Sequence, residues 1–139
     1  MSGYFFEDLV IGQTASFAKT ITEADILLFA AVSGDTNPVH INAEAAALSL
    51  FKERVAHGML SAGLISAALG TKLPGPGCIY LNQSLRFRAP VKIGATVTAT
   101  VIITALDPKK NHVTLDTVCT VGGKPVIDGE AVMLVQGRP

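Results

Sequence analysis

Residues 33–42 (SGDTNPVHIN) place a carboxylate, a carboxamide and an imidazole close together in the chain, on Asp35, Asn37 and His40. A carboxylate and an imidazole can deprotonate one water molecule when both lie within hydrogen-bond reach of it, about 2.6–3.2 Å. Pro38 fixes its own φ and disfavours the α region for Asn37, so we predict a rigid extended turn. The alternative is that Asp35 and Asn37 only cap this turn and that His40 is a half-buried structural histidine.

A second candidate feature, His57-Gly58, stands directly before a long apolar segment. We expect a helix to begin there, and the start of a helix presents unpaired N–H groups and a partial positive charge. In a dry pocket these N–H groups would stabilise an oxygen atom that gains negative charge during a reaction. The alternatives are that Gly58 only allows close packing between helix and sheet and that His57 only caps the helix.

Two serines, Ser61 and Ser66, lie inside the apolar segment. Hydroxyls in a helix interior commonly bond to a carbonyl of the preceding turn, and we expect this of both. The functional alternative is that Ser66 lines a substrate pocket.

Basic residues provide a candidate surface for an anionic ligand. Arg86 and Arg88 alternate along a predicted strand and therefore share one face. Together with Lys52 and Arg54 they could bind the charged part of a substrate, and the alternative is a solvated strand face.

Several kinds of site have no motif in this chain. There is no GxSxG around a serine, no GxGxxG, no P-loop and no HExxH, so the sequence predicts no hydrolase nucleophile elbow, no nucleotide-phosphate loop and no metal site. Cys78 and Cys119 are isolated, which indicates two reduced, buried thiols and not a disulfide. We expect no cofactor.

Composition limits the class of protein. At 139 residues we expect a single domain over residues 1–139. The 11 Lys and Arg residues balance the charge of the 11 Asp and Glu residues. This zero net charge gives no reason to expect a nucleic-acid partner. With 49% apolar and only 16% charged residues, the chain is predicted to bury surface against a copy of itself.

A membrane or secreted location is not expected. The longest uncharged apolar run, residues 58–71, is shorter than the ~20 residues that a membrane-spanning helix needs. The N-terminal stretch MSGYFFEDLVIGQ carries acids where a signal peptide carries basic residues. We therefore expect a cytoplasmic protein.

The pattern of elements predicts helices early and strands late. Thr22 is a predicted N-cap for a helix that ends at Gly34, and Asn42 is predicted to cap a short helix. The segment 58–71 is apolar or small on every side, so we expect this helix to be enclosed on all sides.

Strands are predicted over residues 13–22, 78–91, 95–106, 112–121 and 124–135, with Gly122-Gly123 as a two-residue hairpin turn. Pro90 suggests an edge strand or a bulge. The predicted fold class is α+β, with an antiparallel sheet curled around one buried helix.

Three segments together resemble a known family. FAAVSGDTNPVHIN, FKERVAHGMLSAGLIS and IYLNQSLRFRAPVKIGATVTA are similar to the MaoC-like (R)-specific enoyl-CoA hydratases of the hydratase 2 type. The similarity runs from about residue 12 to residue 135, and its most specific part is Asp-x-Asn-Pro-x-His followed downstream by His-Gly-Met-Leu.

This resemblance implies a hot-dog fold, in which an antiparallel sheet wraps a long central helix, and a homodimer joined edge to edge through its sheets. It implies reversible hydration of a trans-2-enoyl-CoA to an (R)-3-hydroxyacyl-CoA without a metal or redox cofactor. The pathway, polyhydroxyalkanoate precursor supply or fatty acid metabolism, stays open, as does the acyl chain length.

The resemblance also implies roles for individual residues. Asp35 and His40 become the catalytic pair, with Asp35 as the base, Asn37 helps to hold the water, and the Gly58 N–H donates to the thioester oxygen. Substrate contacts are expected from Ser66, His57, Arg86 and Arg88. A hot-dog acyl-CoA thioesterase and a non-catalytic acyl-CoA-binding subunit are the alternatives.

Overall fold

The computed structural model describes residues 3–139. A single 3₁₀ turn at Phe6–Asp8 precedes the main elements. The helices are α1 (Glu23–Ser33), α2 (Pro38–Ile41), α3 (Ala43–Ala47) and α4 (Gly58–Thr71), and the strands are β1 (Thr14–Thr20), β2 (Ile79–Phe87), β3 (Thr96–Asp107), β4 (His112–Val121) and β5 (Lys124–Leu134).

The strands form one five-stranded antiparallel sheet in the order β1-β3-β4-β5-β2. Helix α4 packs on this sheet against β1, β3 and β4. A continuous hydrophobic core lies between them, and its residues come from along the chain, the first being Phe6 and the last Val135. The predicted α+β class is confirmed, and β1 and β2 are the two edge strands.

Helix α1 begins and ends where its sequence predicts. The Thr22 hydroxyl accepts a hydrogen bond from the Asp25 N–H at 3.2 Å, and the Asp25 carboxylate accepts one from the Thr22 N–H at 2.9 Å. Gly34 has φ 79°, a left-handed conformation that glycine adopts at little cost, and it ends the helix. The chain therefore turns sharply just before Asp35.

The segment that follows differs from the predicted extended turn. Asn37 is extended, as Pro38 requires, but Pro38–Ile41 forms one helical turn. Proline is favourable at the first position of a helix because its missing N–H needs no partner there. The Asn37 side chain caps this turn by accepting a hydrogen bond from the Val39 N–H at 3.2 Å.

Helix α4 is not enclosed on all sides within one chain, so that prediction is wrong for the single chain. Ile65 and Leu69 on its inner face are fully buried against the sheet. The opposite face exposes Met59, Gly63 and Ser66. One sheet can cover only one side of a helix, and the other side is open.

Two further sequence predictions are confirmed. Gly122 and Gly123 have φ 57° and 79°, the pair of positive values that a type I′ hairpin turn requires between β4 and β5. Cys78 and Cys119 are both free, as predicted; the predicted burial holds for Cys119, whereas Cys78 is only half-buried. Burial raises the pKa of the Cys119 thiol to about 11, so this group is an unreactive thiol at neutral pH.

Within the part of the chain that the structure describes, no helix combines the length and the apolar character needed to cross a membrane.

Candidate active site

Asp35, His40 and His57 meet at one place, although they come from two separate segments of the chain. Each contributes a carboxylate oxygen or a ring nitrogen, and these atoms lie within 4.8 Å of one another. Asp35 is exposed, His40 is half-buried and His57 is buried. The first two are the residues that the sequence predicts to act together, and the structure brings them together.

The orientation of His40 is fixed by backbone atoms. Its Nδ1 lies 2.7 Å from the Val55 carbonyl oxygen, and because a carbonyl can only accept, Nδ1 must carry the hydrogen. The neutral ring then has its lone pair on Nε2. This is the tautomer that a histidine needs to accept a proton from a water molecule.

Arg54 holds the same turn from outside. Its Nε donates to the His40 carbonyl oxygen at 2.7 Å, and its Nη1 forms an ion pair with Glu23 Oε2 at 2.8 Å. Arg54 therefore ties the turn to α1. These hydrogen bonds engage Nε and Nη1 within the protein, and binding of an anionic ligand by Arg54 stays a prediction.

His57 links helix α4 to the Asp35 turn. Its side chain is only 2% exposed, and its Nε2–H donates to the Asp35 carbonyl oxygen at 2.8 Å. Its ring stacks on the His40 ring with 3.9 Å between centroids. His57 is the N-cap residue of α4, as the alternative interpretation expects, but its side chain makes no capping bond and instead supports both catalytic candidates.

Asp35 and Asn37 also perform the capping role that was the alternative. Asp35 Oδ1 accepts a hydrogen bond from the Asn37 N–H at 3.2 Å, and the Asp35 N–H donates to Ser33 Oγ at 3.1 Å. This turn needs only one carboxylate oxygen of Asp35. The second oxygen is available to a ligand, so capping and catalysis are compatible.

Asp35, His40 and His57 line a cavity of about 470 Å³, whereas Asn37 is not among its lining residues, and the role of Asn37 in holding the water stays a prediction. The cavity walls come from the Asp35 turn, the start of α4, the end of β2 and the segment that follows β2. The lining residues are Asp35, His40, Phe51, Val55, Ala56, His57, Gly58, Met59, Ser61, Phe87, Arg88, Ala89, Pro90, Val91 and Ile127. The lining is mostly apolar, as expected for a site that binds a small organic group.

Gly58 has a packing role in addition to any role as a donor. A Cβ at this position would lie 2.6 Å from Cε1 of the Phe87 ring, so glycine lets this ring lie against the start of α4. The Gly58 N–H has no backbone acceptor among residues 3–139. It is thus a free donor at the positive end of a helix, on a residue that lines the cavity.

The predicted substrate-binding residues are divided between different places. Arg88 lines the cavity and forms an ion pair with Asp128, whereas Arg86 lies on the exposed edge strand and is not among the lining residues. Ser66 lines a separate groove of about 460 Å³ between α4 and β2. The roles of Arg86 and Ser66 in binding stay predictions.

Ser61 differs from its sequence prediction. Its Oγ makes no bond to a carbonyl of the preceding turn and has no partner among residues 3–139. The side chain is completely buried and lines the cavity. The expected back-bond is therefore wrong.

Several residues of the site were not predicted from the sequence. The Val55 carbonyl orients His40, and the rings of Phe51 and Phe87 form walls of the cavity. A backbone carbonyl has no sequence signature. The aromatic residues had one weak signal, because Phe51 directly precedes a basic residue and Phe87 lies between Arg86 and Arg88.

The Asp35, His40 and His57 cluster consists of one carboxylate and two imidazoles, a donor set that is chemically able to hold a divalent cation. It is also a donor set suited to proton transfer. Chelation of metal ions is therefore a useful test of which chemistry the cluster performs.

Comparison with known proteins gives consistent results. The family model described as MaoC like domain matches residues 8–127. The (R)-specific enoyl-CoA hydratase of Rhodospirillum rubrum is 62% identical over 135 residues, which cover 97% of this chain and 94% of that protein.

Two solved structures are similar in fold as well as in sequence. The unliganded R-hydratase PhaJ1 from Pseudomonas aeruginosa has a TM-score of 0.92 and 48% identity, covering 98% of this chain and 88% of that one. The (R)-hydratase from Aeromonas caviae involved in PHA biosynthesis has a TM-score of 0.90 and 44% identity, covering 93% of this chain and 98% of that one. The predicted hot-dog fold is confirmed, and the chain belongs to the MaoC-like domain family.

Proposed function

We propose that this protein is an (R)-specific enoyl-CoA hydratase, which reversibly adds water to a trans-2-enoyl-CoA to form an (R)-3-hydroxyacyl-CoA. The observation that carries the proposal is that Asp35, His40 and the free Gly58 N–H line one cavity. The names of the relatives in Rhodospirillum rubrum and Aeromonas caviae support the same activity.

The proposed reaction begins with a water molecule held between the Asp35 carboxylate and His40 Nε2. Asp35 takes a proton as the water oxygen forms a bond to C3 of the substrate, and the electrons of the C2–C3 double bond move toward the thioester oxygen. A proton from the Asp35–His40 pair then reaches C2 on the same face. Because the two groups share their protons, the pair is best described as one acid–base unit.

The start of α4 would stabilise the intermediate charge. During hydration the thioester oxygen becomes negative, and a donor placed at that oxygen lowers the barrier. The free Gly58 N–H, at the positive end of α4, is in place to donate to it. Arg88, which is half exposed on the cavity lining, is placed to attract the phosphates of CoA.

A direct assay tests this proposal. Purified protein mixed with crotonyl-CoA should lower the absorbance of the conjugated enoyl thioester until equilibrium, and the product should be the (R)-3-hydroxy enantiomer. Release of free CoA thiol without hydration would instead indicate a thioesterase. No reaction with any enoyl-CoA would favour a binding subunit. We expect incubation with EDTA to leave the rate unchanged, because the proposed mechanism uses no metal.

We further propose that two copies associate through β2. This strand pairs only with β5, so its other edge is unpaired within the chain. It exposes Leu81, at 46%, beside the open face of α4, and it also exposes Ile79, at 55%. Unpaired strand edges with exposed apolar side chains favour pairing with another strand, and closed two-fold pairs are the commonest oligomers.

The Leu81→Lys variant tests this dimer. A charge placed in the apolar groove between α4 and β2 should shift the mass found by analytical ultracentrifugation from about twice the 14.5 kDa of the chain to the mass of one chain. Ile11→Lys, at an exposed apolar residue away from β2, is the matched control and should stay dimeric. A monomeric native protein would contradict the proposal.

We also propose that residues 1–139 form one domain that works in the cytoplasm. The continuous core supports a single domain, and the two free cysteines are consistent with a reducing compartment.

A further inference from the structure

Two consecutive residues, Arg54 and Val55, hold His40 by its backbone and by its ring. The Arg54 Nε donates to the His40 carbonyl oxygen at 2.7 Å. The Val55 carbonyl oxygen accepts a hydrogen bond from His40 Nδ1, also at 2.7 Å, and the Val55 N–H donates to the Val39 carbonyl at 3.3 Å. Two of these three contacts come from the Val55 backbone and survive any side-chain substitution. The Arg54 contact is therefore the one that a side-chain change removes.

The segment that carries these two residues is itself fixed to two different parts of the fold. The Ala56 N–H donates to the Val91 carbonyl at 2.7 Å, which joins the segment to the chain that follows β2. Arg54 Nη1 pairs with Glu23 Oε2 at 2.8 Å, in the first turn of α1. Because the guanidinium is planar and rigid, the positions of Nε and Nη1 are linked. The His40 carbonyl is thereby held in place relative to α1.

His40 needs such support because it lies in a very short helix. Helix α2 is a single turn of four residues, Pro38–Ile41. Carbonyl groups at the end of a helix have no partner within it, and isolated single turns are unstable in water. A basic side chain that donates to such a carbonyl stabilises the end of the helix. Arg54 does this at His40, the residue whose ring orientation matters for proton transfer.

Stability alone does not account for the burial of Arg54. Its side chain is 17% exposed, and its Nη2 is buried without a hydrogen-bond partner among residues 3–139. An unpaired buried N–H costs free energy, and an ion pair to a carboxylate that is 50% exposed, as that of Glu23 is, contributes little. What this placement of Arg54 provides is the contact with the His40 carbonyl.

We propose that Arg54 is a positioning residue for the hydration proposed above, on which this step rests. By holding the His40 carbonyl, Arg54 keeps Nδ1 bonded to the Val55 carbonyl, and the lone pair of Nε2 then stays available to the reacting water. A displacement of about 1 Å at such a group lowers a rate by up to about 10²-fold. Arg54 is not among the residues that line the cavity, so its effect should pass through His40.

The Arg54→Ala variant tests the proposal by steady-state kinetics with crotonyl-CoA. The kcat should fall about 10²-fold while KM changes by less than about twofold, because His40 is misplaced and the cavity lining is intact. Lys19→Ala is the matched control and should leave kcat unchanged, since it breaks another ion pair with the first turn of α1, between Lys19 Nζ and Asp25 Oδ2 at 2.7 Å. A native kcat in folded Arg54→Ala protein, with or without a raised KM, overturns the proposal.

Two further variants separate positioning from a merely structural effect. In the His40→Ala background, Arg54→Ala should cause no further loss of kcat, since the group that it positions is absent. A further loss of similar size shows that Arg54 acts elsewhere and overturns the proposal. If Arg54→Ala does not fold, Arg54→Lys replaces it, because a single ammonium nitrogen cannot reproduce the paired donors of the guanidinium. Its kcat should fall about tenfold at an unchanged KM, and a native kcat contradicts the positioning role.

Proton NMR gives a readout that needs no enzymatic activity. A ring N–H that is bonded to a protein carbonyl exchanges slowly with water, so the His40 Nδ1–H should give a downfield resonance in the native protein. The resonance is identified by its absence from His40→Ala, and it should be lost in Arg54→Ala. A resonance that is missing from native protein, or that persists in Arg54→Ala, overturns the positioning role even if the protein is a hydratase. Native protein that shows the expected resonances but hydrates no enoyl-CoA overturns only the proposed function.

Discussion

The Asp35→Asn variant is expected to lose about 10³-fold in kcat for crotonyl-CoA hydration, in the middle of the range that a positioned acid–base group contributes. The amide has the size of the carboxylate and can still accept the hydrogen bond from the Asn37 N–H. The turn should therefore survive while the base is lost. Steady-state kinetics, with circular dichroism to verify the fold, measure the effect.

A double variant makes this prediction sharper. Because Asp35 and His40 act on one water, removing either should disable the same step, so Asp35→Asn combined with His40→Ala should be scarcely slower than the slower single variant. Asp107→Asn is the matched control, since this carboxylate caps an exposed turn between β3 and β4. Full activity of either single variant would remove that residue from the mechanism.

The Gly129→Ala variant is expected to lower the free energy of unfolding by about 3 kcal/mol, at the upper end of the range for overpacking. A Cβ at this position would lie 1.8 Å from the Ser84 backbone oxygen, where β2 pairs with β5. That atom belongs to the backbone and can move only if the strands separate. Thermal unfolding should show a Tm lower by about 10 °C.

The same change should affect the site, because the β2–β5 pairing places Phe87 opposite Ile127 and both residues line the cavity. Glu130→Ala, on the neighbouring exposed residue of β5, is the control and should change stability by less than about 0.5 kcal/mol. If the Tm of Gly129→Ala equals that of the native protein, β2 and β5 do not approach each other closely at this residue.

Local sequence was sufficient where the interacting groups lie within a few residues. The Thr22–Asp25 capping box, the left-handed Gly34 and the glycine pair at 122 and 123 each depend on backbone conformations that one turn of chain decides. Such features have sequence signatures, and the structure has them at the predicted positions.

Even close spacing did not decide the form of the Asp35 turn. Pro38 restricts the backbone of the residue before it, and this restriction favours an extended segment. It is equally suited to the first position of a helix, and the Asn37 cap with the following residues selects the helical turn. The preference for an extended residue before proline and the preference for proline at the start of a helix both act here. The resulting turn keeps Asp35 and His40 in the lining of the cavity.

By itself the sequence determined the order of helices and strands, the presence of Asp35 and His40 in one short segment after α1, and the helix that begins at Gly58. Only the tertiary structure decided that His57, separated by 22 residues from its partner Asp35, would support that turn, and that the Val55 carbonyl would orient His40. The complete burial of Ser61 was also decided there. The physical reason is that these contacts join distant segments through backbone atoms and packing, which depend on how α4 lies against the sheet and leave no pattern in the chain.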